Sequence, residues 1–221
     1  MDTKMKVIGI SGSPRKDWNT DLLVQQALKG AESKGAETEL YHLYDLRFRG
    51  CVSCFRCKKK ESSSLGRCIY ADELLPILNR IHRCDGLVLG SPIYIGEVSS
   101  GMRAFIERLA FQYITYEKDK ISYFDRRLPV LSIYTMNAPE EAIKASGYDA
   151  HFLFYENCFN RFLGGPATTL TVTETLQTDD YGAYHMSKFD EEARKKRRED
   201  VFPGDLQRAF DMGATLINRG N

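Results

Sequence analysis

The chain has 221 residues, 43% of them hydrophobic and 28% charged, a composition that suits one folded domain and excludes a disordered or fibrous polypeptide. Thirty-one Lys and Arg against thirty Asp and Glu leave a net charge of +1, so no overall field draws it to nucleic acid or to an anionic membrane. No apolar stretch nears the roughly 18 residues that span a bilayer, and the longest, 86–96, is cut by Ser91 and Pro92.

In chain order, residues 1–10 offer only the short apolar run 7–10 before Ser11, which predicts a first strand over 6–11 and no signal peptide. A cytoplasmic location is the expectation. Val24, Ala27, Leu28 and Ala31 fall at i, i+3, i+4 and i+7, one apolar stripe of a helix, and a second strand is predicted over 37–43. Residues 47–70 then interrupt the pattern with four cysteines and three successive lysines, a long excursion of the kind that is usually functional or disordered. Leu74, Leu75, Leu78 and Ile81 mark the next helix, 86–90 the third strand, and Met102, Phe105, Ile106 and Leu109 another helical stripe. A strand over 130–135, a helix over 148–162 and a strand over 168–173 follow. The extra segment 174–202 carries Asp179, Asp180, Tyr181 and Tyr184, then the charge run 191–200, expected as a solvated helix; a helix over 206–217 closes the chain.

This alternation predicts an α/β fold over 1–221: a doubly wound, five-stranded parallel sheet with helices on both faces. Strands one, three and four are near-continuous apolar runs, as strands covered on both faces should be. With the order 2-1-3-4-5, the loops after strands one and three face each other across a crevice, which is where ligands bind such sheets in general.

The first of these loops reads Ser11-Gly12-Ser13-Pro14-Arg15 and continues to Asn19-Thr20 at a helix start. It matches neither G-x-G-x-x-G nor G-x-x-x-x-G-K-[ST], so a monophosphate is the better candidate: helix N–H groups, short hydroxyl and amide donors, and the charge of Arg15 suit a dianion. An ordinary turn with an Asn or Thr cap is the competing reading. In the second loop, Pro92 is expected to end the strand and Gly96 to turn the chain. Ile93, Tyr94 and Ile95 offer apolar and aromatic surface to a flat ring, or else pack under a helix.

Gly9-Ile10-Ser11-Gly12-Ser13-Pro14-Arg15 with Asn19-Thr20, and Gly90-Ser91-Pro92-Ile93-Tyr94 leading to Phe105-Ile106-Glu107-Arg108, resemble the NADPH-dependent FMN reductase and iron-sulfur flavoprotein family of flavodoxin-like proteins. The resemblance covers about residues 6–173. It implies FMN, with its phosphate on Ser11, Ser13, Arg15, Asn19 and Thr20. It sets the isoalloxazine ring against Pro92, Ile93, Tyr94, Ile95 and Gly96, and Thr135, Met136, Asn137 and Ala138 on the other side. Trp18 stands where the family usually has small residues.

Cys51, Cys54, Cys57 and Cys68 read C-x2-C-x2-C-x10-C. Three thiolates at successive short spacings can wrap one face of a cubane and a fourth completes it, which points to a [4Fe-4S] cluster. Zinc, which favours two separated pairs, and metal-free reduced cysteines are the alternatives. Cluster-bearing members of the resembled family have a shorter last gap. Cys84 and Cys158 are expected as buried small residues, and His42, His82, His151 and His185 are too dispersed for a metal site or a triad.

The function expected is that of an FMN-dependent oxidoreductase taking hydride from NAD(P)H and passing electrons to a second acceptor, with no protein acid or base named. The alternative is a non-catalytic flavin and iron-sulfur electron carrier fed by a ferredoxin-like protein. The aromatic-rich stretches 111–124 and 181–189 need burial, which predicts a homodimer or homotetramer.

Overall fold

The structure, a computed structural model, describes residues 4–217; residues 1–3 and 218–221, the two ends of the domain expected over 1–221, lie outside the described residues. Five parallel strands form the sheet: β1 (Lys6–Ser11), β2 (Glu37–His42), β3 (Gly86–Tyr94), β5 (Leu128–Thr135) and β6 (Gly164–Val172), in the order β2-β1-β3-β5-β6. A two-residue strand, β4 (Glu97–Val98), folds back antiparallel on the end of β3. Counting the long strands alone, the order is the expected 2-1-3-4-5.

Alternating side chains of these strands feed two cores, which explains the continuous apolar runs. Ile8, Ile10, Leu87, Leu89 and Val130 pack with α2 (Leu75–Ile81), α3 (Ser100–Tyr113) and α5 (Tyr148–Leu163) on one face. Val7, Val88, Leu131, Ile133 and Leu170 pack on the other, with α1 (Asn19–Ser33) and α7 (Phe202–Thr215). Each such side chain contributes about 1.5–3 kcal/mol by leaving water. The α1–α7 seam is tight: a Cβ on Gly30 would stand 1.9 Å from the Phe210 carbonyl oxygen, and one on Gly213 would stand 1.9 Å from that of Ala27.

Several boundaries differ from the sequence reading. Strand β3 does not stop at Pro92 but runs to Tyr94. Its ladder with β1 ends at Ser11 and Gly90, while that with β5 continues to Pro92 and Thr135, so the proline sits where one side of the strand is already an edge and loses no ladder bond there. The sixth strand begins at Gly164 because that glycine, at φ 68°, ends α5 in the left-handed region and delivers the chain straight into the sheet. Helix α7 starts at Phe202, with Pro203 in its first turn, where a missing N–H costs nothing. A short helix, α4 (Glu140–Ala145), was not expected. Helix α6 (Glu191–Asp200) coincides with the charge run, started by Asp190, whose carboxylate accepts from the Ala193 N–H at 3.0 Å. No helix among the described residues is long and apolar enough to cross a membrane.

Candidate functional site

The loop after β1 is pinned from below. Gly12 donates to the Gly90 carbonyl at 2.8 Å and accepts from the Ser99 hydroxyl at 2.7 Å, and a Cβ there would lie 2.8 Å from Met102 Cβ, so only glycine lets the loop sit this low. The Ser13 hydroxyl accepts from the Arg15 N–H at 3.1 Å, which curls the loop towards α1. No side chain caps α1, so the positive end of its dipole opens on the loop. Thr20 and Thr135 share one hydroxyl–hydroxyl bond of 2.7 Å, leaving one O–H proton of the pair for a ligand. Ser11 is fully buried, and its hydroxyl is the one buried side-chain polar atom among the described residues without a partner.

These loops line a cleft of about 280 Å³: Ser13, Arg15, Asn19 and Thr20 on one side, Pro92, Ile93 and Tyr94 on the second, Thr135, Met136 and Asn137 on the third. Ser11 does not line it, and Ile95, Gly96 and Ala138 instead line an adjoining cavity of about 530 Å³. Ile95 and Gly96 form the tip of the β3–β4 hairpin at φ 53° and 78°. A β-branched residue in that region is strained by about 1–3 kcal/mol. Glu97, the next residue of the hairpin, accepts from Tyr155 Oη at 2.8 Å and pairs with His151 Nε2 at 2.9 Å. Burial alone would raise the Glu97 carboxyl pKa, but these bonds outweigh it and hold it below the usual value.

The fourth wall comes from the extra segment, whose Leu176, Gln177, Tyr184 and Met186 close the cleft. Trp18 Nε1 and Asn19 Nδ2 donate to the Leu176 carbonyl at 3.2 and 2.7 Å, and Arg15 donates to that of Gln177. The charge run is not simply solvated, contrary to expectation. Arg194 Nε donates to Asn137 Oδ1 at 2.7 Å and Arg198 Nη1 to Asn19 Oδ1 at 2.8 Å, because the i, i+4 spacing puts both guanidiniums on the face turned to the cleft. The Arg15 and Arg198 guanidiniums lie 5.7 and 5.8 Å from the Trp18 ring centroid, and burial pushes the Arg198 pKa down. Asn19 thus holds the closing segment, with both ends of its amide engaged. The residues missed in the sequence are Leu176, Gln177, Tyr184, Met186, Arg194 and Arg198, and the i, i+4 spacing of the two arginines was their one local signal.

All four cysteines of the C-x2-C-x2-C-x10-C run are free thiols and line a single small cavity against α3. Ser53 and Phe55, on either side of Cys54, sit at φ 51° and 56°, left-handed turns that wind the run tightly. Lys58 donates to the Phe111 and Gln112 carbonyls at the end of α3, and Gln112 Oε1 accepts from the Cys68 N–H at 2.9 Å. Burial pushes the Cys57 thiol up while the Lys58 charge works against it. Among the described residues no three His, Cys, Asp or Glu side chains stand as a ready-made metal cage. The donor set, thiols alone, suits iron-sulfur or zinc and not a hard cation. Cys84 is buried as expected, its thiol pushed up to about 12 by burial, whereas Cys158 is only partly buried.

An open parallel sheet with a ligand-sized cleft between the loops after its first and third strands, where the strand order reverses, defines a flavodoxin-like α/β protein. Solved structures agree: an NAD(P)H:quinone oxidoreductase from Methanothermobacter marburgensis superposes with a TM-score of 0.67 over 97% of this chain and 100% of its own, at 18% identity. An azoreductase from Bacillus anthracis gives 0.62 over 96% and 99%, at 11% identity, so the likeness is one of fold. The profile of the NADPH-dependent FMN reductase family matches residues 5–134, more than half of the chain, and the chain belongs to that family. Relatives include an iron-sulfur flavoprotein of Methanocaldococcus jannaschii, 42% identical over 104 residues that make up 47% of this chain and 51% of the relative. An iron-sulfur flavoprotein of Archaeoglobus fulgidus is 33% identical over 48% and 46% of the two chains. The chain thus spans about half the length of the curated relatives it matches.

Proposed function

We propose that the chain is an FMN-dependent oxidoreductase that takes hydride from NAD(P)H and passes electrons to a second acceptor by way of a cluster on Cys51, Cys54, Cys57 and Cys68. The observation that carries the flavin assignment is the meeting of three loops on one cleft, which is lined by an uncapped helix start, by Arg15 and by the apolar and aromatic Pro92, Ile93 and Tyr94. Ser13, Arg15 and the free hydroxyl proton of the Thr20–Thr135 pair would hold the phosphate, while Pro92, Ile93 and Tyr94 would flank the ring. Bound FMN supplies acceptance of a hydride and its release as single electrons. The protein supplies orientation and exclusion of water: Leu176, Tyr184 and Met186 cover the cleft, held by Trp18, Asn19, Arg194 and Arg198.

The cysteine loop is rimmed by Arg56, Lys59 and Lys60, which would offset the charge of a thiolate-held cluster and attract an acidic electron-transfer partner. Self-association is proposed as well. Tyr113, Phe124 and Tyr181 of the two aromatic stretches are already buried within the chain, so the support for a homodimer or homotetramer lies in the exposed Tyr116, Ile121 and Tyr184.

Protein purified without oxygen tests the cofactors and the self-association in one sample. Flavin absorption bands together with iron and acid-labile sulfide are expected, and sedimentation should give an oligomer at micromolar concentration. Flavin without iron or sulfide would reject the cluster, an FMN-loaded monomer would reject the oligomer, and a colourless protein that refuses added FMN would overturn the assignment.

A further inference from the structure

Arg108 is 3% exposed, in the middle of α3, and lies outside the flavin cleft. A buried guanidinium is costly unless every donor is met, and here all five N–H groups are. Nε donates to Cys68 Sγ at 3.3 Å. Nη1 donates to Asp72 Oδ2 at 2.8 Å and to the Arg49 carbonyl at 3.0 Å, and Nη2 to Asp72 Oδ1 and the Tyr70 carbonyl, both at 3.2 Å. Arg49 precedes the first cysteine of the loop and Tyr70 follows the last, so one side chain ties both stems of the excursion to α3 and touches the sulfur between them.

We infer that Arg108 is the positioning residue of the cysteine site, fixing Cys68 as the fourth sulfur ligand and tuning the site's reduction potential through its Nε–H···Sγ bond. This rests on the proposed cluster. It answers the difficulty of the ten-residue gap: Cys68 is located by Arg108 and Gln112 on a rigid helix, and the intervening loop need only close, which adds little cost as its length grows. Asp72 neutralises most of the guanidinium's long-range field, so the directional bond to sulfur is the dominant influence. Hydrogen bonds to cluster sulfurs favour the reduced, more negative state. Lysine cannot replace it, because a single ammonium cannot span Cys68, Asp72 and both stems at once.

The test reconstitutes wild type and Arg108→Lys with iron and sulfide under anaerobic conditions, followed by a redox titration read by electron paramagnetic resonance. The lysine variant is expected to bind FMN as wild type does and to hold a cluster whose one-electron equilibrium is shifted at least tenfold towards the oxidised state, about 59 mV lower in potential. Loss of iron with FMN binding and melting temperature retained also supports the positioning role. Full iron at an unchanged potential overturns the inference alone, whereas a wild type that takes up neither iron nor sulfide overturns the cluster itself. Should the lysine variant not fold, the double variant Arg108→Gln with Asp72→Asn, which leaves no lone buried charge, is read by the same criteria.

Discussion

Arg15 reaches the cleft from the loop, while the Thr20 hydroxyl reaches it from the first turn of α1 and is shared with Thr135. A hydrogen bond from a charged group contributes roughly 1.5–3 kcal/mol and one between neutral groups about 1 kcal/mol. Arg15→Ala should therefore weaken FMN roughly tenfold to hundredfold, and Thr20→Ala about fivefold, in fluorescence titrations with the circular dichroism spectrum unchanged. Unchanged affinity in both single variants and in the double variant would remove the phosphate from this loop. Ser13, Arg15 and Thr20 were legible because they follow the first strand of the sheet directly. Asn19 was read there too, but not what occupies its amide, since Leu176 and Arg198 lie 157 and 179 residues away. Trp18, which looked like a departure from the family's pattern, has its reason in the same contacts.

Among the elements, the α1–α7 seam decides whether the closing segment has a fixed base, since α6 leads directly into α7. A methyl group at position 213 must displace backbone, for its Cβ would stand 1.9 Å from the Ala27 carbonyl oxygen, whereas one on Gly204 meets nothing within 4 Å. Overpacking costs about 1–3 kcal/mol, and in a chain of this size each kcal/mol moves the melting temperature by roughly 2–4 °C. Gly213→Ala should therefore melt about 2–12 °C lower, and Gly204→Ala no lower than wild type; equal melting of the two variants would mean the helices are not seated so closely. Long elements were readable because their apolar spacing reports burial directly. The β3–β4 hairpin was not, since its turn rests on a left-handed Ile95 and on a Glu97 bonded to distant α5, and α4 has too few buried positions to make a stripe.

At the scale of the molecule, α3 joins the two candidate sites. Ser99 caps it beside the loop after β1, and Arg108 lies eight residues beyond Ser100, about 12 Å of helix at 1.5 Å per residue. A flavin at one end and sulfur ligands along the other half would thus share one rigid support, an arrangement suited to passing electrons between them. The sequence pointed to both candidate sites but not to their shared support, because α3 carried only the apolar stripe of a covering helix. The most direct test of the account is an anaerobic titration of the FMN-loaded protein with NADPH and with NADH, followed by flavin absorbance and with no other protein present. Bleaching of the flavin by about one equivalent of either nucleotide is predicted, with about half an equivalent more where the cluster takes up a third electron. A flavin that neither nucleotide reduces, but that a reduced ferredoxin-like protein does, would contradict the account and identify an electron carrier instead.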